Sequence, residues 1–221
     1  MVQLATFVLP PVDRREVFRY AGCRKSGPAE AELLESCLAE LCGRLCCRVC
    51  WDTFPVTASE GGCLDLGFAR TSSGMLMRRL AGCRECVLFA ATIGLEPDRL
   101  IARYGGVSPA RSLFFQAIGA ERIEALCNAF CARMEEDLTR RGRGSTQRFS
   151  PGYGDLPLDL QRDIFRVLDC PRKIGLTLNE SLLMSPSKSV TAIFGIEDRP
   201  EGNCAGAGCA ACEKQDCAYR E

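Results

Sequence analysis

The chain has 221 residues, of which 47% are hydrophobic, enough to form one sizeable domain with a packed core plus a small appendage. Lys and Arg together number 28, as do Asp and Glu, so the overall charge gives no general attraction to nucleic acid or to an anionic membrane. The sequence contains no histidine, which excludes Ser-His and Cys-His catalysis, histidine-ligated zinc or haem, and ordinary imidazole acid–base chemistry.

The first third of the chain predicts short helices and strands. A helical segment is expected at residues 14–19 and a second helix at residues 28–46, where apolar residues recur three or four positions apart. Alternating, β-rich residues predict a strand at 47–51, and a second strand is predicted at 63–68. A short helix is expected at residues 75–80.

The middle of the chain predicts a central strand and the longest helix. Residues 86–92 form a continuous apolar run of strand length, typical of a strand that is buried on both faces. A helix is predicted from about Pro97 to just before Gly105, and another from Pro109 to about Arg140. The longest helix carries an apolar stripe with helical spacing, formed by Ile123, Cys127, Phe130, Met134 and Leu138.

The last third predicts a loop, a helix and two strands. Residues 142–157 are rich in Gly, Pro and Ser, and a helix is expected at 158–168. Strands are predicted at 174–178 and 189–196, before the composition changes abruptly to Gly, Ala, Cys and charged residues. Helices and strands mix without regular βαβ alternation, which indicates an α+β fold, and the absence of a G-x-G-x-x-G motif gives no support to a Rossmann fold.

The N-terminus indicates the cellular compartment, and the compartment determines the expected redox state of the cysteines. The N-terminus lacks a basic leader, and the longest apolar run falls well short of the roughly 20 residues of a membrane-spanning helix, so we expect a cytoplasmic protein. In that compartment the 16 cysteines are reduced thiols or metal ligands rather than disulfides. The cysteines at 37, 127 and 131 have apolar neighbours at helical spacing and are expected to be small buried side chains. Packing in the core is also favoured over metal binding for the cysteines at 83 and 86 and for those at 42, 46, 47 and 50.

An unusual segment lies between the two last predicted helices. Residues 148–153 read Arg-Phe-Ser-Pro-Gly-Tyr, which combines a guanidinium, a Pro-Gly turn and a tyrosine. Pro151-Gly152 favours a type II turn with Gly152 at positive φ, and such a turn lets backbone approach a ligand while Arg148 and Tyr153 lie on the same side. The alternative interpretation is a surface connector between helices.

This segment resembles the Arg-x-x-Pro-Gly-Tyr signature of the activation domain of cobalamin-dependent methionine synthase. Three other segments resemble that family in the same order, at residues 89–100, 121–125 and 179–190. The similarity covers roughly residues 86–196, and the chain is similar to a short stand-alone form. The resemblance implies a twisted, mostly antiparallel sheet flanked by helices over residues 1–197, followed by a separate cysteine-rich tail at 198–221.

The resemblance also implies a function. The family binds S-adenosylmethionine and delivers its methyl group to reduced, inactive cobalamin. This chain lacks the family's cobalamin-ligating histidine, so the cobalamin is expected on a partner, either methionine synthase or a related corrinoid protein. A separate electron donor is expected to reduce that cobalamin. S-adenosylmethionine carries its own electrophile, and the protein therefore needs to position and desolvate rather than to move protons.

Residue roles follow from the same resemblance. Arg148 is expected to pair with the ligand carboxylate, Glu124 with its ammonium group, and Tyr153 to offer a hydroxyl and an aromatic face, while backbone around Pro151 and Gly152 reads adenine. The predicted S-adenosylmethionine-binding residues are Glu124, Arg148, Ser150, Pro151, Gly152 and Tyr153. Glu180 and Ser181 are expected on the cobalamin-facing side, with a capping role as the alternative for Glu180. At residues 202–204 the sequence departs from the tyrosine-containing, ligand-contacting segment of the family.

The tail predicts a metal site. Four cysteines lie within fourteen residues of small spacers, at Cys204, Cys209, Cys212 and Cys217. The spacing does not separate zinc from an iron–sulfur cluster, and the cluster is slightly favoured because reactivation consumes an electron. Two other functions therefore stay open, an iron–sulfur electron-transfer protein that serves a corrinoid enzyme and a zinc-stabilised interaction protein. A conventional S-adenosylmethionine methyltransferase is disfavoured because the Gly-rich strand-turn-helix is missing.

Overall fold

The computed structural model describes residues 1–23, 27–59 and 62–198. The predicted tail ligands Cys204, Cys209, Cys212 and Cys217, and the departure at 202–204, lie outside these ranges. The described helices are α1 (Arg14–Tyr20), α2 (Pro28–Leu41), α3 (Gly74–Arg79), α4 (Glu96–Gly105), α5 (Pro109–Thr139), α6 (Leu160–Leu168) and α7 (Cys170–Ile174). The described strands are β1 (Gln3–Thr6), β2 (Arg48–Pro55), β3 (Thr57–Ser59), β4 (Cys63–Asp65), β5 (Arg70–Thr71), β6 (Glu85–Thr92), β7 (Arg143–Ser145), β8 (Thr177–Leu178), β9 (Met184–Ser185) and β10 (Ser189–Asp198).

Five strands form the main sheet in the order β1-β2-β6-β10-β7, and every pairing is antiparallel. The middle strand β6 is the predicted apolar strand, and Phe89 in it lies opposite Trp51 on one side and Ala192 on the other. All its residues from Cys86 to Thr92 are buried, which explains why the run is continuously apolar instead of alternating. The expected twisted, mostly antiparallel α+β architecture is confirmed.

Helix α5 covers one face of this sheet. It begins at Pro109, as predicted, and its residues Ile123, Cys127 and Phe130 pack with Phe89 and other side chains of the sheet. The Phe130 ring lies 4.8 Å from Phe89, centroid to centroid, and a fully buried aromatic side chain of this kind contributes about 1.5–3 kcal/mol. The apolar stripe therefore fixes the position of α5 against the sheet.

The opposite face of the sheet is covered by α3, α6 and α7. Leu88 and Ile193 from the sheet pack with Leu76, Ile164 and Leu168 from these helices. A third cluster joins α1, α2 and α4 to the first half of α5, with Val17, Leu34 and Phe115 among its buried members. The result is a sheet with α5 on one side and shorter helices on the other, plus a helical corner at the N-terminal end of α5.

Three sequence predictions are wrong in detail. Helix α2 ends at Leu41 rather than at Cys46, because Gly43 adopts a positive φ and the Cys46 N–H then bonds to the Ile93 carbonyl beside the sheet. The predicted strand at 63–68 is the three-residue β4, which belongs to a separate small sheet with β3 and β5.

The predicted strand at 174–178 is only partly formed. Helix α7 occupies residues up to Ile174, and only Thr177–Leu178 is extended, paired with Met184–Ser185. Left-handed residues at both ends, Asp169 with φ 49° and Gly175 with φ 70°, enclose this single turn. It buries Cys170 and Ile174, four residues apart, against the sheet.

The cysteine predictions are partly confirmed. Cys37, Cys83, Cys86 and Cys127 are buried and Cys131 is half-buried, as expected of small apolar side chains, but Cys42 and Cys46 are exposed. They are exposed because α2 ends before them, so neither lies on the buried face of that helix. Across the described ranges, no three side chains of Cys, Asp or Glu are grouped so that they hold a metal ion, and no helix is long and apolar enough to cross a membrane.

Candidate functional site

The segment that follows β7 continues along the edge of the sheet. Phe149 donates its N–H to the Ile193 carbonyl at 2.8 Å and accepts the Ile193 N–H at 2.9 Å. The chain then turns, since the Tyr153 N–H bonds to the Ser150 carbonyl at 3.2 Å and Gly152 has φ 88°. The predicted turn with Gly152 at positive φ is confirmed. A side chain at Gly152 would also meet Leu158, because an added Cβ lies 3.0 Å from its Cδ1.

The turn is fastened to α3 by a carboxylate. Asp155 accepts hydrogen bonds from the Ser73 hydroxyl and from the Met75 N–H, the latter at 3.2 Å. Ser73 in turn caps α3 by accepting the Leu76 N–H at 3.1 Å. The Ser73 hydroxyl, with backbone N–H groups of α3, lowers the pKa of Asp155 below its ordinary value.

The Arg148 side chain is directed to α5. Its Nη2 donates to Glu124 Oε2 at 2.5 Å, and its Nη1 donates to Asn128 Oδ1 at 2.7 Å. The structure therefore brings together the two residues predicted to hold the charged ends of a ligand. The pair is accessible, with 27% of the Arg148 side chain and 42% of the Glu124 side chain exposed.

Two thiols lie under the guanidinium. Cys127 is buried and Cys131 is half-buried, and both interact electrostatically with Arg148. Burial raises the pKa of both thiols, so they stay protonated at neutral pH. Burial acts to lower the pKa of Arg148, but neighbouring groups that include the Glu124 carboxylate outweigh it and the pKa is raised. The site thus presents a fixed cation beside an anion.

The other predicted ligand residues lie along the turn. Pro151 is buried, Ser150 is half-buried, and Gly152 is exposed. The Tyr153 side chain is 69% exposed. The turn therefore offers an accessible aromatic ring at Tyr153 and exposed backbone at Gly152, whose N–H already bonds to the Leu156 carbonyl at 2.9 Å.

Glu180 and Ser181 lie on a separate hairpin turn between β8 and β9, where both are exposed. The turn is capped by Asn179, which accepts the Leu183 N–H at 2.9 Å through its side chain. Glu180 contributes its backbone carbonyl, which accepts from Arg162 at 3.1 Å. The capping role considered for Glu180 thus belongs to its neighbour.

Sequence reasoning missed Asn128. It is an exposed polar residue of a long helix, and such residues are common and carry no motif. The one available signal was its position four residues after Glu124, which places the two on the same face of α5.

A groove of about 860 Å³ lies elsewhere, between residues 7–12, α2 and α5. None of the predicted ligand-binding residues lines it. Its charged side chains already have partners, since Arg14 pairs with Glu35 at 2.5 Å and the buried Arg122 pairs with Glu121 and the Pro10 carbonyl. Residues 121–125 of α5 therefore have two different roles. Glu121 and Arg122 bind the N-terminal segment, whereas Glu124 binds Arg148.

Comparison with known proteins supports the fold assignment. No protein-family model and no curated protein sequence matches the chain. Among solved structures, the chain is similar to the crystal structure of the MetH reactivation domain bound to AdoHcy, with a TM-score of 0.67 and 18% sequence identity. The match covers 93% of this chain and 80% of that one. The resemblance to the activation domain of cobalamin-dependent methionine synthase is thereby confirmed as a resemblance of fold.

Proposed function

We propose that this chain is a cytoplasmic protein that binds S-adenosylmethionine and supports the reductive remethylation of cobalamin on a partner. One observation carries the proposal: the fold of a reactivation domain that binds AdoHcy holds, in this chain, a guanidinium and a carboxylate side by side next to a Pro-Gly turn.

The charges of the site fit the amino-acid end of the ligand. S-adenosylmethionine carries a carboxylate and an ammonium group on one carbon, and Arg148 and Glu124 are complementary to the two. Each charge-assisted hydrogen bond of this kind contributes about 1.5–3 kcal/mol. The two side chains pair with one another at 2.5 Å, so ligand binding would replace one internal ion pair with two pairs to the ligand.

The rest of the turn fits the nucleoside. Backbone around Pro151 and Gly152 is proposed to read the adenine edge, with Ser150 beside it. The Tyr153 ring supplies a flat apolar surface and a hydroxyl. The sulfonium methyl is itself the electrophile and reduced cobalamin the nucleophile, so the residues of this chain only have to bind, orient and exclude water.

Calorimetric titration with S-adenosylmethionine tests the proposal. The wild-type protein is expected to bind, and Arg148→Ala is expected to lose most of the affinity. Arg166→Ala is the matched control, because Arg166 forms an ion pair with Asp163 on the exposed side of α6. Equal binding by wild type and Arg148→Ala would refute the site, and no binding by wild type would refute the function.

Glu180 and Ser181 are proposed to face the cobalamin of the partner. Their exposure on a hairpin separate from the turn suits a surface that meets another protein. The partner is a methionine synthase or another corrinoid methyltransferase, supplied with electrons by a separate donor. A Glu180→Ala/Ser181→Ala variant should keep its affinity for S-adenosylmethionine and lose methyl transfer to cobalamin on the partner; a loss of both would place these residues in the ligand site instead.

A metal site formed by Cys204, Cys209, Cys212 and Cys217 is proposed in addition, on the basis of their spacing alone. An iron–sulfur cluster there would add electron transfer to the function, whereas zinc would add only stability. Metal analysis and a visible spectrum of anaerobically purified full-length protein separate the two, and a variant with these four cysteines replaced by serine should lose the metal. Metal retained by that variant would contradict the assignment.

A further inference from the structure

The guanidinium of Arg148 is held at two points by one helix face. Glu124 and Asn128 are four residues apart on α5, one accepting from Nη2 and the other from Nη1. The side chain is therefore held in direction by one charged acceptor, Glu124, and one neutral acceptor, Asn128.

The two acceptors have different fates when a zwitterion binds. If Glu124 turns to the ligand ammonium, Nη2 is released for the ligand carboxylate. Asn128 has no reason to leave Nη1, because its neutral amide has little to gain from the ammonium compared with a carboxylate. It also does not neutralise the guanidinium, and the full positive charge stays available to the ligand.

We infer that Asn128 is a positioning residue. It keeps the Arg148 guanidinium directed at the ligand carboxylate while the Glu124 carboxylate leaves Arg148 and pairs with the ligand ammonium. The inference rests on the proposed function, and it makes the neutrality of position 128 the determinant of selectivity for ligands that carry a carboxylate. An aspartate at this position keeps the shape of asparagine but gives Arg148 a second internal anion, which competes with the ligand carboxylate and repels it.

The test uses two ligands and two variants of the full-length protein. S-adenosylmethionine has both charged groups, and decarboxylated S-adenosylmethionine keeps the ammonium and the sulfonium but lacks the carboxylate. Asn128→Ala should weaken S-adenosylmethionine about five-fold, the equivalent of one modest hydrogen bond. Asn128→Asp should weaken it about ten-fold or more, while its affinity for the decarboxylated ligand is unchanged or increased.

A merely structural role gives the opposite order. In that case the isosteric Asn128→Asp is the milder variant, and both ligands lose affinity together; either result overturns the inference. Asn179→Asp, which adds the same charge on the β8–β9 hairpin, is the control and should leave both affinities unchanged. If the wild-type protein binds neither ligand, the proposed function fails and the inference with it, whereas normal wild-type binding with the structural order of variants overturns the inference alone.

Discussion

Asp155 accepts a hydrogen bond from the Ser73 hydroxyl and so ties the turn after Arg148 to the first turn of α3. The two residues are far apart in sequence, and the contact closes a long stretch of chain that includes β6, α4 and α5. It also explains how a loop rich in Gly and Pro keeps one conformation next to the candidate site.

This contact predicts a pH dependence of stability. The pKa of Asp155 is lowered in the folded protein, so its contribution is present above the ordinary aspartate pKa of about 3.9 and is lost as the pH falls below that value. Asp155→Asn removes the charge with little change in shape. Thermal unfolding should show a lower Tm for the variant at pH 7 and a smaller difference from wild type near pH 3; a difference that grows in acid would contradict the assignment.

The backbone of the turn predicts an effect of Gly152→Ala. Because Gly152 has φ 88° and an added Cβ meets Leu158, the variant should be less stable by about 1–2 kcal/mol. The matched control is Gly105→Ala in the last turn of α4, where helix propensity favours alanine and, apart from its chain neighbours and the helix backbone, no atom of the described residues lies within 4 Å of the added Cβ. Urea denaturation measures the free energy of unfolding of both variants. Equal changes in the two would show that a side chain at Gly152 causes no strain.

Two buried threonines of the main sheet should respond oppositely to valine. The Thr92 hydroxyl accepts from Ser189 at 2.8 Å and from the Gly94 N–H at 3.2 Å, so Thr92→Val should cost about 1–3 kcal/mol. Within the described part of the chain the Thr191 hydroxyl is buried with no hydrogen-bond partner, and Thr191→Val should be neutral or stabilising by up to about 1 kcal/mol. Chemical denaturation of the two variants checks this order, and a larger loss at Thr191 would reveal a partner for its hydroxyl.

The cysteines predict a labelling pattern in the native protein. Cys42 and Cys46 are exposed and should be alkylated within the time in which Cys47 and Cys86 remain unmodified. Burial raises the pKa of Cys47 to about 11 and that of Cys86 to about 12, so these thiols are both inaccessible and protonated. Iodoacetamide followed by peptide-resolved mass spectrometry measures the difference, which should vanish in urea; comparable native labelling of the four residues would mean that α2 does not end as described.

Sequence alone predicted the elements whose pattern matches their burial. The apolar run of β6 and the stripe of α5 lead directly to the middle of the sheet and the helix that covers it, because hydrophobic burial there is unambiguous. It failed for α7, a single turn between Asp169 and Gly175 whose five residues are too few to show a period. The predicted burial of Cys42 and Cys46 was also wrong, because the end of α2 before Gly43 depends on where the sheet lies.

The candidate site divides in the same way. The Pro-Gly turn is a local signal, and Gly152 adopts the conformation that its neighbours predict. Glu124 was indicated only by the family resemblance. Asn128 was indicated only by its position four residues after Glu124, because a polar residue on an exposed helix face has no signature until the side chain that reaches it is known. Contacts between a loop and a distant helix are set by packing, which a single sequence does not display.

The most direct measurement is an experimental structure of the protein with S-adenosylhomocysteine bound. We predict that the ligand carboxylate contacts Arg148, that its ammonium group contacts Glu124, and that the 2.5 Å contact between these two side chains has opened while Asn128 still accepts from Nη1. A ligand bound elsewhere, with the Arg148–Glu124 pair intact, would contradict the account.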